Sequence, residues 1–378
     1  MADAWHAQAG QCDPRERASV EAAVEAALRP PPAAAAVVGF SRAVEAARPP
    51  PPAAAPPAPP VEQRVFFGSQ VPPPVWKPKG LNNDEKTDCW LIAGVQALFS
   101  SDRVRELLRE LSIPPRAAGQ QVAEALKATF STPEDFKFLK DLIRQKPELK
   151  QGHQDAEEGL RVVLERLQEE LTRAKAPFPS VTIEAFPTTL PKGADGWLAG
   201  QPEQGIVTDM FGALVLEKSK GFRSWTIPLP LFGSLASCFD EWCRDGNSIE
   251  HFPEVLLLKL NRSGRDSVGR IAKLYNRVKI PRDLSRIRHI RYKYDLCAVV
   301  SHSGQTITSG HYIATVKGGD GHWWRCNDKI VGEIGEDALR ELLAENIEGT
   351  PHEESEFTPY LLMYTKRRAQ GGGGGGSS

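Results

Sequence analysis

An α+β fold is what this sequence predicts, on three observations. Helical periodicity fills the chain from about Cys89 to Ala174, strand-like runs dominate from Val181 onward, and the two patterns do not alternate. Helices followed by strands set a helical lobe against a sheet lobe, whereas alternation would imply a parallel α/β sheet.

The elements follow in order. Leu91–Phe99, apolar on every side, reads as a buried helix that starts at Cys89. Arg103–Leu111 is amphipathic and is stopped by Pro114-Pro115. Val122–Phe130, Pro133–Arg144 and Gln154–Ala174 are the next helices, the last with Leu160, Val163, Leu164 and Leu167 on one face. Strands are expected at Val255–Leu260, Tyr294–Val300, His311–Val316, Trp323–Cys326 and Tyr360–Tyr364. The run Arg282, Arg286, Arg288, Arg291, Lys293, interleaved with Leu284, Ile287, Ile290 and Tyr292, reads as an exposed edge strand guarded by charge.

Residues 1–72 are dominated by alanine and proline, and Val24–Ala33 nearly repeats as Val44–Pro51. They hold too little bulky apolar surface to offset the entropy of folding, so a disordered leader is expected. A Pro-rich docking site for a partner is the minority reading. Residues 368–378 end in a Gly/Ser run and read as a flexible tail, which leaves 73–367 as the folded domain.

Among 378 residues, 47 Lys+Arg against 48 Asp+Glu leave a net charge of -1. That balance gives no reason to expect nucleic acid or an anionic membrane as partner. No apolar run is long enough to span a bilayer, and Met1–His6 lacks the basic and apolar regions of a signal peptide. The six cysteines, Cys12, Cys89, Cys238, Cys243, Cys297 and Cys326, are scattered without a disulfide framework, so a reducing, cytoplasmic or nuclear setting is expected.

Two distant segments belong together chemically: Thr87-Asp88-Cys89-Trp90 and Gly310-His311-Tyr312. A thiol at a helix N-terminus and an imidazole on a strand are the materials of a cysteine hydrolase, because a helix dipole and a nearby imidazolium both favour the thiolate. Either residue alone would read as an ordinary buried cysteine or a packed strand histidine.

Their neighbours resolve the choice. Gly80-Leu81-Asn82-Asn83, Cys89-Trp90 and Gln96 resemble the cysteine box of the ubiquitin-specific proteases, the papain-like deubiquitinases. His153–Glu158 resembles that family's Gln-Asp box, and Phe252–Arg262 its Pro-x-x-Leu strand. Tyr294–Leu296, His302–Gly304, Gly310–Ala314 and Trp323 with Asn327-Asp328 resemble its histidine box, and Tyr360–Tyr364 its closing strand. The likeness runs in order from about Pro78 to Lys366.

The resemblance implies a papain-like cysteine protease with a helical thumb, a β-rich palm and shortened fingers. It implies hydrolysis of the (iso)peptide bond after the C-terminal Gly-Gly of ubiquitin or a ubiquitin-like modifier, without cofactor. Cys89 would be the nucleophile, His311 the general acid and base, and Asn327 the group that orients the imidazole, with Asp328 as backup. Asn83 or Asp84 would serve the oxyanion hole. The box carries one extra residue before Cys89, so Asp84 stands in the usual asparagine register, where an ionised carboxylate cannot donate. Gln154, Asp155, His302 and Gly310 would border the channel for the modifier's tail, although Asp155 would look the same as a plain helix cap. Cys238 and Cys243 lack the Cys-x-x-Cys spacing and have no second pair, so no zinc is expected. The alternative reading is a weak or inactive ubiquitin-binding pseudoprotease, motivated by Asp84, by the lost glycine of the box and by Ile92 where the family commonly has asparagine.

Overall fold

The computed structural model describes residues 75–111, 121–146, 149, 154–174, 183–187, 195–196, 205–218, 220–265, 269, 271–307, 309–345 and 356–368. The Ala/Pro-rich leader and the Gly/Ser run lie outside them. The helical half comprises α1 (Cys89–Ser100), α2 (Asp102–Glu110), α3 (Val122–Ser131), α4 (Phe136–Ile143) and α5 (Ala156–Ala174). Every residue of α1 is buried, as its unbroken apolar run requires. It lies between α5 and the sheet. Gly159 of α5 permits this approach, since a Cβ there would sit 2.1 Å from the Trp90 ring.

The second half begins with β1 (Asp195–Gly196), α6 (Ile206–Phe211), β2 (Ala213–Glu217), β3 (Lys220–Ser224), β4 (Ile227–Leu229), α7 (Leu235–Arg244) and β5 (Asn247–His251). Then come β6 (Val255–Leu260), β7 (Ser263–Arg265), β8 (Ile271–Lys273), β9 (Tyr294–Thr306), β10 (Ser309–Lys317), β11 (Trp323–Asn327), β12 (Ile330–Ile334), α8 (Glu336–Leu342) and β13 (Thr358–Lys366). A seven-stranded sheet has the order β12-β11-β10-β9-β13-β6-β4 and a four-stranded one the order β1-β3-β2-β5. In the large sheet only β4 and β6 run parallel.

The large sheet is covered on both faces, which is why its strands read as nearly continuous apolar runs. On β6, Val255 and Leu257 join the core shared with α1 and α5, whereas Leu256, Leu258 and Leu260 join a second core with α7. On β13, Leu361 and Met363 face the first core, Leu362 and Tyr364 the second. Each such side chain contributes roughly 1.5–3 kcal/mol on burial.

Several expectations are corrected. Pro133–Arg144 is not one helix: Pro133–Asp135 forms a 3-10 turn, in which the ring at its first position needs no N–H, and α4 follows. The helix expected from Gln154 begins at Ala156. The strand half also contains α6, α7 and α8. The basic run from Arg282 to Lys293 is no edge strand. Its apolar residues Leu284, Ile287 and Ile290 are buried at a spacing of three, in turns closed by Ile287 N–H to Leu284 and Ile290 N–H to Ile287. Arg282 pairs with Glu336 and Glu345, and Arg288 with Asp240.

Two buried cations brace the strands around the end of β9 nearest His311. Arg262 donates to the carbonyls of Pro359, Leu274 and Asn276, and Lys273 to that of His302. Burial pulls Arg262 down to about 10 and Lys273 to about 8.

Candidate active site

Cys89 is the first residue of α1, and its side chain is 1 % exposed. The backbone N–H groups of Tyr312 and Trp90 hydrogen-bond its sulfur. The Tyr312 contact brings the thiol to β10 immediately beside His311, so the structure unites the two segments the sequence paired. Burial, the largest influence, pushes the Cys89 thiol above its ordinary value, and the carboxylates of Asp328 and Asp88 push the same way. The two N–H groups oppose them without prevailing.

His311, half-buried, places Nε2 2.7 Å from Asn327 Oδ1. An amide oxygen only accepts, so Nε2 carries the hydrogen and the Nδ1 lone pair is left for proton exchange. Asn327 ends β11, where it pairs with Ile330 across a two-residue turn whose first residue, Asp328, has φ 51°. Asp and Asn tolerate this left-handed backbone better than most residues. Phe357 packs edge-on to the imidazole with centroids 6.0 Å apart, a contact that no sequence pattern announced.

The loop before Cys89 is stapled to that turn. Leu81 N–H donates to the Asp328 carbonyl at 3.0 Å, and Asn83 Nδ2 donates to Asp328 Oδ2 at 3.0 Å. Gly80 lies so close that a Cβ would sit 2.1 Å from the Lys329 carbonyl oxygen. The extra residue of the cysteine box is absorbed by a turn, with Lys86 N–H donating to the Asn83 carbonyl and Lys86 at φ 55°. The result reverses the emphasis that the sequence register placed on Asp84. Asp84 points outward, exposed, and accepts from Asn82 Nδ2 at 2.6 Å. Asn83 is the inward side chain, holding the Asp88 N–H with its oxygen at 3.0 Å.

Asp88 is fully buried, one residue from the thiol. Arg144, just past α4, neutralises it: Nε donates to Asp88 Oδ1 at 2.7 Å and Nη2 lies 2.5 Å from the same oxygen. Nη2 also donates to the Thr87 carbonyl at 3.0 Å, and the guanidinium lies over Trp90. Sequence reasoning missed Arg144, because nothing local distinguishes it from other helix-terminal arginines.

The expected tail-channel residues divide. Asp155 is 7 % exposed and committed internally, accepting from Glu157 N–H at 2.8 Å and from Tyr360 Oη at 2.5 Å, with Lys259 Nζ 3.6 Å away. It caps α5, as the plain reading of the sequence allowed. Gln154 precedes it, half-buried. His302 is fully buried against Tyr312, with ring centroids 4.4 Å apart, so it supports the strand of His311 and does not face solvent. Gly310 is exposed at φ 130°, and a Cβ there would sit 2.1 Å from the Ser303 carbonyl oxygen. Before Gly310, residues 303–306 and Ser309 are the paired ends of β9 and β10. Cys238 is buried in α7, accepting from the Phe232 N–H, and is pushed up to about 11 by burial. Cys243 lies on the same helix, half-buried.

A family model for ubiquitin carboxyl-terminal hydrolase matches residues 79–364. Ubiquitin carboxyl-terminal hydrolase 10 of Saccharomyces cerevisiae is 35 % identical over 101 residues, covering 25 % of this chain and 13 % of the relative. Hydrolase 8 of the same yeast is 30 % identical over 135 residues, covering 32 % of this chain and 25 % of the relative. The matched part is thus a quarter or less of either relative's length. A chain of the SAGA Ubp8/Sgf11/Sus1/Sgf73 module bound to ubiquitin aldehyde superposes with a TM-score of 0.57 at 17 % identity, covering 77 % of this chain and 70 % of that one. At that identity the likeness speaks for the fold, a papain-like arrangement of helical and sheet halves. With the family model spanning most of its length, this chain belongs to the ubiquitin carboxyl-terminal hydrolase family.

Proposed function

We propose that this chain is a cysteine deubiquitinase that hydrolyses the bond after the C-terminal glycine of ubiquitin or a ubiquitin-like modifier. The observation that carries the reading is the convergence of Cys89, His311 and Asn327 through the Tyr312 N–H on the sulfur and the 2.7 Å His311–Asn327 bond. His311 Nδ1 takes the Cys89 proton, and the thiolate attacks the glycine carbonyl. As the C–N bond breaks, the imidazolium returns that proton to the departing amine. Water, losing a proton to His311, then cleaves the thioester and releases a free carboxylate and the thiol. Asn83, with a second amide hydrogen beyond the one given to Asp328, is the side-chain candidate for the oxyanion, helped by backbone N–H groups at the start of α1. Gly310 lines the approach for a diglycine tail. Asp155 contributes through α5 and Tyr360. The setting proposed is a reducing, cytoplasmic or nuclear compartment, where the thiol persists.

Reaction with ubiquitin bearing a C-terminal electrophile tests this. Reduced wild-type protein should form a covalent adduct and Cys89→Ala none. Ubiquitin binding without an adduct would establish the pseudoprotease reading instead. Parallel probes built on other ubiquitin-like proteins distinguish the modifier.

A further inference from the structure

At the end of the large sheet opposite His311, a cavity of about 560 Å³ opens between the C-terminus of α1, the β10–β11 loop and the ends of β9 and β13. Lys317 at its edge lies six residues along β10 from His311, a span of about 20 Å. None of its lining residues belongs to the active site.

Its wall carries five cations, Arg105, Lys317, Lys366, Arg367 and Arg368, against two carboxylates, Asp102 and Asp295. In a chain with a net charge of -1 this surplus is local. Not all of it is available. Arg367 is spent on Asp295, and Lys366 is held by Glu254 and Glu184. Two cations form no ion pair with a carboxylate among the described residues. Lys317 is half-buried at the rim. Arg105 is 8 % exposed, donates to the carbonyls of Phe99 and Ser100 that end α1, and lies 5.0 Å from the Trp76 ring centroid. A third, Arg368, is exposed and pairs among the described residues with Glu106.

The opposite wall is the backbone of Gly318, Gly319 and Gly321. Gly319 N–H donates to the Trp76 carbonyl and Gly318 N–H to that of His322, so the amides are used and recognition falls to the cations. The Ser100 and Thr365 side chains complete a polar lining. Guanidinium groups and an ammonium around a small recess match clustered oxyanions. The recess is too small to track a nucleic-acid backbone.

We propose that this cavity binds a multivalent phosphate, held by Arg105, Lys317 and Arg368, at a site distinct from the active site. The phosphates can come from a free polyphosphate ester or from a lipid headgroup.

The test is calorimetric titration of the full chain with sodium tripolyphosphate, alongside flotation with phosphatidylcholine vesicles with and without phosphatidylinositol bisphosphate. Saturable tripolyphosphate binding is expected, weakened at least about tenfold in Lys317→Glu/Arg368→Glu and weakened again as salt rises from about 50 to about 300 mM. Vesicle binding that needs the phosphoinositide and is lost in the double variant assigns the headgroup as source and supports the site equally. No binding in either arm, or binding unchanged in the double variant, overturns it. Lys317 lies at the rim and Arg368 is exposed, and labelling by the ubiquitin electrophile should stay at the wild-type rate, which confirms folding independently of the phosphate result.

Discussion

Asp88 shows how tightly the residue beside the thiol is constrained. A fully buried carboxylate next to the nucleophile both disfavours the thiolate and needs compensation, and Arg144 supplies it. Arg144→Ala leaves that charge only Lys140, 3.6 Å from its other oxygen, so unfolding in urea should show a loss of about 3 kcal/mol. Adding Asp88→Asn should recover most of it, and a double-mutant cycle measures the coupling. At the active site, Asn327→Ala should lower turnover of a ubiquitin substrate about 10²-fold or more, because the imidazole loses its fixed tautomer. Asp84→Asn should leave turnover unchanged, since that side chain faces solvent and Asn82, whereas Asn83→Ala should lower it by about 10²-fold. Cys89 gives a pH signature. Its thiol lies above the ordinary value in the free protein, so iodoacetamide should modify it slowly near neutrality and faster as pH rises beyond about 9. Fast alkylation at about pH 7 would show instead that His311 already holds a thiolate.

Elements decide what these residues can reach. Helix α1 and strand β10 carry Cys89 and His311, and the contact between them explains why residues more than two hundred positions apart form one site. The Gly80–Asn83 segment is the less obvious participant. It docks on the turn after β11 through the Leu81 and Asn83 bonds to Asp328, with Gly80 against backbone that cannot yield. Gly80→Ala should pry the loop from the turn, lowering stability by about 1–3 kcal/mol and slowing labelling by the ubiquitin electrophile. Unchanged labelling in a folded Gly80→Ala protein would mean the staple does not position the nucleophile. The strands β6, β9 and β13 were legible because burial on both faces leaves a continuous apolar run. The basic run from Arg282 misled for the complementary reason. Its apolar residues alternate loosely with charge, but three-residue turns bury Leu284, Ile287 and Ile290, and ion pairs to Glu336, Glu345 and Asp240 replace ladder bonds.

At the scale of the whole molecule, two cores on either side of one sheet bury groups that must stay neutral. Burial pushes Cys238 to about 11 and Cys326 to about 12, and it lifts Tyr294 and Tyr364 well above their usual value. A group whose pKa is raised in the folded state gives stability that is complete below its unfolded pKa and is lost as pH rises through the folded one. Urea unfolding should therefore show stability falling from about pH 9, with Cys238 contributing to the fall up to about pH 11 and Cys326 up to about pH 12. In Cys326→Ala the fall should be shallower. The sequence by itself determined that a helical half precedes a strand-rich one, the pairing of Cys89 with His311 and, through the family resemblance, the place of Asn327. Those features rest on local periodicity and on ordered motifs that a linear chain displays. Tertiary structure alone decided that Asn83 and not Asp84 faces inward, that Arg144 guards Asp88, and that Asp155 and His302 are buried supports. Each depends on which side chain a turn or a packed neighbour directs into the site, and that direction is set by contacts far away along the chain.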